Sequence, residues 1–269
     1  METLIQYSVV LLHSLACKRP FRQSVKYSGR VIFLTPTICI KSSPFTTLAE
    51  AHAMIFIKEH TSVPVPKVYM AFERKGRVYI VMERINGTML ACGWVHRSAA
   101  SQAKILKDLK TMVEEWRRIP SPKGVGVANI DGGPIYDVRL PTESFWGPFD
   151  SVDKFHSRLR NGIDIEHLSE SSPKGLLELA EFHAKASSVA TTFTHGDLSS
   201  LNILCRGDQI VGIIDWETAG WFPSYWEYTT AWHVNPHNEF WQKEVDSFVE
   251  PWPEALEMEQ IRRKYFGDF

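Results

Sequence analysis

Three polar residues that could form a metal-dependent active site lie within a short stretch near residue 200. The stretch 194–216 reads T-H-G-D-L-S-S-L-N-I-L-C-R-G-D-Q-I-V-G-I-I-D-W and contains Asp197, Asn202 and Asp215. Carboxylate and amide oxygens are the ligands that a hard cation such as Mg²⁺ prefers. Each residue alone is as compatible with a turn or a cap. The three together favour an active site.

The sequence between these residues predicts how they are brought together. Two apolar runs, 203–205 and 210–214, flank the turn residues Arg206-Gly207-Asp208, a pattern typical of a β-hairpin. Such a hairpin places Asn202 and Asp215 at its neighbouring open ends. Asp197 lies on the loop just before it, so we expect the three side chains to converge.

The spacing of the polar residues also indicates a reaction type. His195-Gly196-Asp197 and Asn202 give H-G-D-x-x-x-x-N, which parallels the kinase catalytic loop H-R-D-x-x-x-x-N. Phosphoryl transfer needs positioning of the reactants and neutralisation of phosphate charge. We therefore expect Asp197 to act as the base, Asn202 and Asp215 to hold the metal, and His195 to brace the loop.

The first third of the chain shows mainly strand patterns. Short β-prone runs at 31–34 and 37–41 predict a hairpin, and a helix capped at Thr46-Thr47 is expected to run to Glu59. Two further strands, 68–73 and 77–82, flank a turn. These elements predict a small sheet with one helix.

From residue 98 onward the pattern becomes helical. An apolar stripe ends before Ile119-Pro120, and a second helix is predicted over 176–185. Between them, residues 120–149 are rich in Gly and Pro, which predicts a long ordered loop that could carry ligand contacts.

Composition narrows the classes of function. Lys and Arg (30) nearly balance Asp and Glu (31), so no overall field favours nucleic acid, and we expect no nucleic-acid partner. The four cysteines are far apart and are expected to be reduced thiols. The apolar run 5–16 is shorter than the roughly 20 residues of a membrane span. We interpret it as a buried helix or strand of a cytoplasmic protein for which membrane binding is not expected.

These motifs are similar to those of the aminoglycoside phosphotransferase and choline kinase-like superfamily, particularly its fungal-type branch. The stretches that carry the resemblance are T-H-G-D-L-S-S-L-N-I-L, I-I-D-W-E-T-A-G, E-A-H-A-M-I-F-I, T-S-V-P-V-P-K-V, V-M-E-R-I-N-G-T-M-L and W-G-P-F-D-S-V. The resemblance implies an α+β, bilobal protein-kinase-like fold, with a small β-rich N-lobe and a larger, mainly helical C-lobe. The expected nucleotide-binding lobe is 1–87, with 1–20 divergent, and the expected catalytic lobe is 88–269.

By the same resemblance, ATP and Mg²⁺ are the expected cofactors. Lys41 would contact the α- and β-phosphates, and Glu50 would hold it by an ion pair. The implied hinge that offers backbone hydrogen bonds to adenine consists of Met82, Glu83, Arg84 and Ile85. The sequence departs from a kinase pattern before Lys41, where it contains Gly29 but no G-x-G-x-x-G.

Two functions remain open: a kinase that phosphorylates a hydroxyl or amine of a small molecule, and a catalytically weak pseudokinase that serves as a binding scaffold. A protein kinase would require a long segment ending in A-P-E after Asp215, and none is present. The nucleotide base and the acceptor stay open, and we expect a monomer or weak dimer.

Several residues after Asp215 are candidates for binding the acceptor. The aromatic ones could form either a stacking wall or part of the core; they are Trp216, Trp221, Tyr225, Trp226, Tyr228 and Trp232. Glu227, Glu239 and Glu244 could meet a cationic acceptor.

Overall fold

The computed structural model describes residues 2–18, 27–28, 30–140, 143–169, 172–233 and 239–267; Gly29 lies outside them. The helices are α1 (Glu2–Cys17), α2 (Leu48–His60), α3 (Ala99–Arg117), α4 (Val152–Leu159), α5 (Lys174–Lys185), α6 (Trp226–Trp232), α7 (Glu239–Gln242) and α8 (Pro253–Phe266). The strands are β1 (Tyr27–Ser28), β2 (Val31–Phe33), β3 (Ile38–Lys41), β4 (Val68–Arg74), β5 (Arg77–Glu83), β6 (Thr88–Met89), β7 (Ala128–Asn129), β8 (Ile135–Tyr136), β9 (Phe145–Trp146), β10 (Thr191–Thr194), β11 (Ile203–Arg206), β12 (Gln209–Ile213) and β13 (Gly220–Pro223).

The first five strands form one antiparallel sheet in the order β1-β2-β3-β5-β4. Both predicted hairpins of this region are confirmed. The tighter one, β4–β5, closes with Arg74 paired to Arg77 across a two-residue turn. Its turn residues, Lys75 and Gly76, have φ values of 53° and 69°. Positive φ at both turn positions matches the right-handed twist of the strands.

Helix α2 packs beside this sheet and begins as predicted. Thr47 is its N-cap residue, with an extended backbone, although its side chain makes no capping hydrogen bond. Glu50 lies in the first turn and is buried. A carboxylate is rarely buried unless a cation pairs with it. The sheet and α2 therefore direct one charged side chain inward, toward β3.

The mainly helical part of the chain begins directly after the sheet. After β5 the chain forms β6, which pairs with β11 of the hairpin β11–β12. Of the predicted apolar stripe, helix α3 buries Ile105, Leu109, Val113 and Trp116, whereas Met112 is only partly buried. Ser98 caps α3 by accepting a hydrogen bond from the Ser101 amide at 3.2 Å. One continuous apolar core runs from α2 and β5 through α3 to the hairpin.

The segment 120–149 is less loop-like than predicted. It contains the short strands β7, β8 and β9; β8 pairs with β9, and β7 pairs with β13. No strand pattern is visible in this part of the sequence because each strand is two residues long, too short for an alternation of apolar and polar residues to appear. These pairings fix the segment beside the loop that follows β10.

The prediction that the N-terminal apolar run is buried was wrong. The run forms part of α1, but most of its large apolar side chains are exposed: Leu11 is 60% and Leu12 is 49% exposed. Val9 packs against Ile40, Phe72 and Tyr79 of the sheet. A helix that is apolar on all sides covers only one face when it lies on one surface. No helix in the described residues is long and apolar enough to cross a membrane.

Candidate active site

The hairpin β11–β12 brings together the three polar residues identified in the sequence. Ile203 pairs with Ile213, and the Ile214 amide donates to the Asn202 carbonyl at 2.9 Å. Asn202 and Asp215 therefore lie at the adjacent open ends. The Asn202 Nδ2 donates to the backbone oxygen of Asp197 at 2.8 Å and to its carboxylate Oδ2 at 2.9 Å. Because the amide nitrogen makes both bonds, the amide oxygen is the atom that can ligate a metal.

His195 joins the catalytic loop to the hairpin and is completely buried. Its Nε2 lies 3.0 Å from the Ile214 carbonyl, and its Nδ1 lies 3.2 Å from the Asp197 amide nitrogen. A carbonyl only accepts and an amide N–H only donates, so the imidazole is neutral and protonated at Nε2. Burial lowers the pKa of His195, which agrees with the neutral form. This geometry fits bracing of the loop.

The buried carboxylate of Glu227, a predicted contact for a cationic acceptor, instead supports the same loop. Glu227 of α6 accepts hydrogen bonds from the amides of His195 at 2.7 Å and Gly196 at 3.1 Å, and from the Trp116 indole at 3.3 Å. It is 0% exposed, so its interpretation as a contact for a cationic acceptor is wrong. Its place between Trp226 and Tyr228, both buried, is the sequence signal for a carboxylate with internal partners.

The two other glutamates have different outcomes. Glu244 is partly buried, and the side chain of Glu239 lies outside the described residues.

Of the aromatic candidates, Trp232 is only partly buried. The others are at most 3% exposed and belong to the core, which excludes a stacking wall; they are Trp216, Trp221, Tyr225, Trp226 and Tyr228.

The glycine of the H-G-D motif has a steric reason. Gly196 has φ +79°, and a Cβ there would lie 3.0 Å from the Thr218 carbonyl oxygen. Thr218 also donates from its hydroxyl to the His195 carbonyl at 2.8 Å. The close approach of these two segments therefore requires glycine between His195 and Asp197.

Asp197 lies among charges that the sequence did not reveal. Its side chain is 30% exposed, and the Arg139 Nη1 lies 3.7 Å from its Oδ1. Arg139 is held by the buried Asp137 at 2.8 Å and also donates to the Gly196 carbonyl. Burial, with smaller contributions from the carboxylates of Asp215 and Asp137, raises the pKa of Asp197 to about 7 against the opposing attraction of Arg139. A carboxylate with this pKa can take up a proton near neutral pH.

A second charged cluster surrounds Lys41. Its Nζ lies 2.8 Å from Glu50 Oε1, 2.5 Å from Asp215 Oδ1 and 2.9 Å from Glu217 Oε2. Burial alone would lower the pKa of Lys41, but the three carboxylates outweigh it and raise the pKa. The Lys41–Glu50 pair that the family resemblance implied is thus formed, whereas Glu217 was missed. Asp215 has a left-handed backbone, with φ 66° and ψ 59°.

The cluster lies in a cleft of about 510 Å³ between the sheet and the hairpin. Eight of the predicted site residues line it: Lys41, Glu50, Met82, Glu83, Arg84, Ile85, Asn202 and Asp215. Arg30 and Glu217, which were not predicted, line it as well, whereas Asp197 and His195 are not part of its lining. All four residues of the predicted hinge therefore line the same cleft as the predicted phosphate and metal residues. The amides of Glu83 and Arg84 already donate to the carbonyls of Lys67 at 2.8 Å and Thr37 at 2.9 Å.

Comparisons with known proteins agree with this architecture. Residues 36–264 match the model of the phosphotransferase enzyme family. A search of curated proteins found no match. Among solved structures, a thermostable mutant of aminoglycoside phosphotransferase APH(4)-Ia in its apo form has a TM-score of 0.60 at 13% identity, with 88% of this chain and 83% of that chain covered.

Two further solved structures are similar. The gentamicin–APH(2")-IIa complex has a TM-score of 0.59 at 13% identity and covers 94% of this chain and 85% of that chain. APH(3'')-Id from Streptomyces rimosus, in complex with ADP and streptomycin, has a TM-score of 0.54 at 14% identity, with 89% and 92% covered. These likenesses confirm the predicted α+β, kinase-like fold with its small sheet and larger helical part. The chain therefore belongs to the phosphotransferase enzyme family.

Proposed function

We propose that this protein is an ATP-dependent phosphotransferase that transfers the γ-phosphate to a hydroxyl or amine of a small molecule. The observation that carries the proposal is the convergence of Asp197, Asn202 and Asp215 beside a cleft that also contains Lys41. Membership of the family supports phosphotransfer. Similar structures contain ADP or AMP-PNP together with an aminoglycoside, which supports a nucleotide and a small acceptor.

The nucleotide would lie along the cleft. Residues 82–85 would meet the base with their carbonyls and the Ile85 amide, since the amides of Glu83 and Arg84 are engaged elsewhere. Lys41, held by Glu50, would contact the α- and β-phosphates. We also propose that residues 1–87 act as the nucleotide-binding lobe and 88–269 as the catalytic and acceptor lobe of a cytoplasmic monomer or weak dimer.

The residues of the cleft fit a magnesium ion. Three carboxylates, those of Glu50, Asp215 and Glu217, face two cations, Lys41 and Arg30. Among the described residues no group of three or more His, Cys, Asp or Glu forms a metal site. Mg²⁺ needs only one or two carboxylates, with phosphates and water completing its shell. Asn202 and Asp215 would hold the ion, which would neutralise phosphate charge when bound.

The residues of the chain then supply orientation and proton transfer. The acceptor oxygen or nitrogen forms a bond to the γ-phosphorus while the bond from that phosphorus to the β–γ bridging oxygen breaks. ADP leaves with the bonding electrons, and Asp197 takes the acceptor's proton. Asn202 and Arg139 hold the Asp197 carboxylate in place. His195 and Glu227 fix the backbone that carries it.

The acceptor would bind on the side of Asp197 away from the nucleotide. The segment 120–149 reaches Asp197 through Arg139, and together with the helices after Trp232 it would enclose a small ligand. The alternative is a pseudokinase scaffold. It is favoured by one observation: Asp215 and Glu217 both engage Lys41, the residue that must reach phosphate. Transfer assays distinguish the two functions.

Nucleotide binding is expected to require both the divalent ion and Asp215. The β- and γ-phosphates bring about three to four negative charges toward carboxylates unless a metal bridges them. Calorimetric titration of ATP and GTP should therefore show at least about tenfold weaker binding without Mg²⁺ and in Asp215→Asn. The matched control is Asp208→Asn at the opposite end of the hairpin, where Asp208 pairs with Arg97 at 2.9 Å. Equal affinity in every case would contradict the proposal.

The phosphate is expected to reach a small molecule. The purified protein is incubated with γ-labelled ATP and Mg²⁺, first with a protein extract and then with a metabolite extract from the same cells. Label should appear in the metabolite fraction and depend on Asp197. Labelled protein with unlabelled metabolites would assign a protein kinase, and ATP binding without any transfer would favour the scaffold.

A further inference from the structure

One cation in the cleft has no role in the proposed reaction. Arg30 immediately precedes β2, and its side chain is 36% exposed and lines the cleft. Its Nη1 lies 3.0 Å from Glu217 Oε2, the same oxygen that lies 2.9 Å from Lys41 Nζ. Arg30 therefore shares a carboxylate with the lysine proposed to bind phosphate. Its guanidinium is thereby linked through Glu217 and Lys41 to Asp215, at the end of the cleft that we propose holds the phosphates.

The surroundings of Arg30 hold the guanidinium without burying it. Its Cζ lies 5.5 Å from the centre of the Phe45 ring and 5.9 Å from that of Tyr136, and its Nη2 donates to the Tyr136 hydroxyl at 3.2 Å. Aromatic rings attract a guanidinium and let it stay hydrated on its other side. Tyr136 comes from β8, so Arg30 also connects the sheet to the segment that reaches Asp197.

The sequence lacks the backbone device that usually binds phosphates at this position. Kinases cover the phosphates with a glycine-rich loop, whereas the first 40 residues here contain a single glycine, Gly29. A guanidinium can replace such backbone donors because it presents several N–H groups in a planar fork that matches phosphate oxygens.

We propose that Arg30 is a phosphate-binding residue that substitutes for a glycine-rich loop, and that Glu217 holds its side chain when no nucleotide is bound. This inference rests on the proposed ATP-dependent function. When the phosphates of a nucleotide bind, they replace Glu217 as the partner of the Arg30 guanidinium. The contribution of Arg30 to nucleotide affinity therefore increases with the number of phosphates. The base and ribose are recognised without it.

The test compares ATP, ADP and AMP on single variants by calorimetry with Mg²⁺ present. In Arg30→Met and Arg30→Gln, ATP affinity should fall about 10- to 100-fold, the loss expected for charge-assisted hydrogen bonds. AMP affinity should change less than about threefold. Arg30→Lys, which keeps the charge but not the fork, should lie between Arg30→Met and wild type. Retained AMP binding shows that a variant is folded.

The matched control is Arg84→Met, the same chemical change in the same cleft. Arg84 lies over the Phe33 ring with its Cζ 4.4 Å from the ring centre, at the hinge end. It should affect ATP and AMP by similar factors. Wild type that binds no nucleotide would refute the proposed function and this inference together. Wild type that binds ATP, with Arg30 variants that keep ATP affinity or lose ATP and AMP equally, would refute the role of Arg30 alone.

Discussion

Replacement of Asp197 by asparagine is expected to lower turnover by roughly 10²-fold or more while nucleotide affinity stays within a few-fold of wild type. The change removes a proton acceptor, and a positioned general base is worth about 10²- to 10⁴-fold. Asparagine keeps the shape of the side chain and can still accept from Asn202. Steady-state kinetics with the identified acceptor, together with ATP titration, measure both quantities. Turnover within a few-fold of wild type would exclude Asp197 as the base.

The pKa of Asp197 predicts how the activity of the wild type and the stability of Asp197→Asn depend on pH. Since burial raises the pKa of Asp197 to about 7 in the protein without nucleotide, wild-type kcat/KM, which reports the free protein, should rise with pH through this value as the carboxylate loses its proton. The folded protein binds this proton more tightly than the unfolded chain. The contribution of Asp197 to the free energy of unfolding therefore decreases as the pH rises from about 4 to about 7. Asp197→Asn should therefore have a higher Tm than wild type at pH 8, with the difference shrinking toward pH 4.

Replacement of Glu227 by alanine is expected to destabilise the fold by about 3 kcal/mol or more. It leaves the buried N–H groups of His195, Gly196 and Trp116 without their acceptor. It also removes a carboxylate that attracts Arg117 and opens a cavity. Urea or guanidinium unfolding measures the free energy of unfolding directly.

The matched control for this prediction is Glu257→Ala on α8, where the side chain is exposed. It should change the free energy of unfolding by no more than about 0.5 kcal/mol. If Glu227→Ala and Glu257→Ala were equally stable, Glu227 would not be the support of the catalytic loop that its hydrogen bonds indicate.

The parts predicted from sequence are those that neighbouring residues determine. The hairpin β11–β12 follows from two apolar runs around Gly207, and it alone places Asn202 beside Asp215. The pairing of Lys41 with Glu50 spans nine residues and was implied by the family resemblance. Local patterns and a recognised motif therefore led to eight of the twenty residues that line the cleft.

The missed residues act over distances that no local pattern spans. Arg139 reaches Gly196, 57 residues away, and Arg30 reaches Glu217, 187 residues away. Such contacts depend on how the segment 120–149 pairs with β13 and how the sheet faces the hairpin. The exposure of α1 was missed for a related reason, since an apolar run does not specify how much surface is available to cover it.

The left-handed backbone at Asp215 places a conformational requirement on this position in addition to the chemical requirement for a carboxylate. Asp and Asn tolerate this conformation better than other non-glycine residues, whereas alanine at φ 66° is strained. Asp215→Asn therefore changes only the charge, and Asp215→Gly mainly the side chain. Substitutions that an evolving family could accept here are restricted by geometry before chemistry is considered, so descendants that had lost activity would be expected to carry Asn or Gly here more often than other residues.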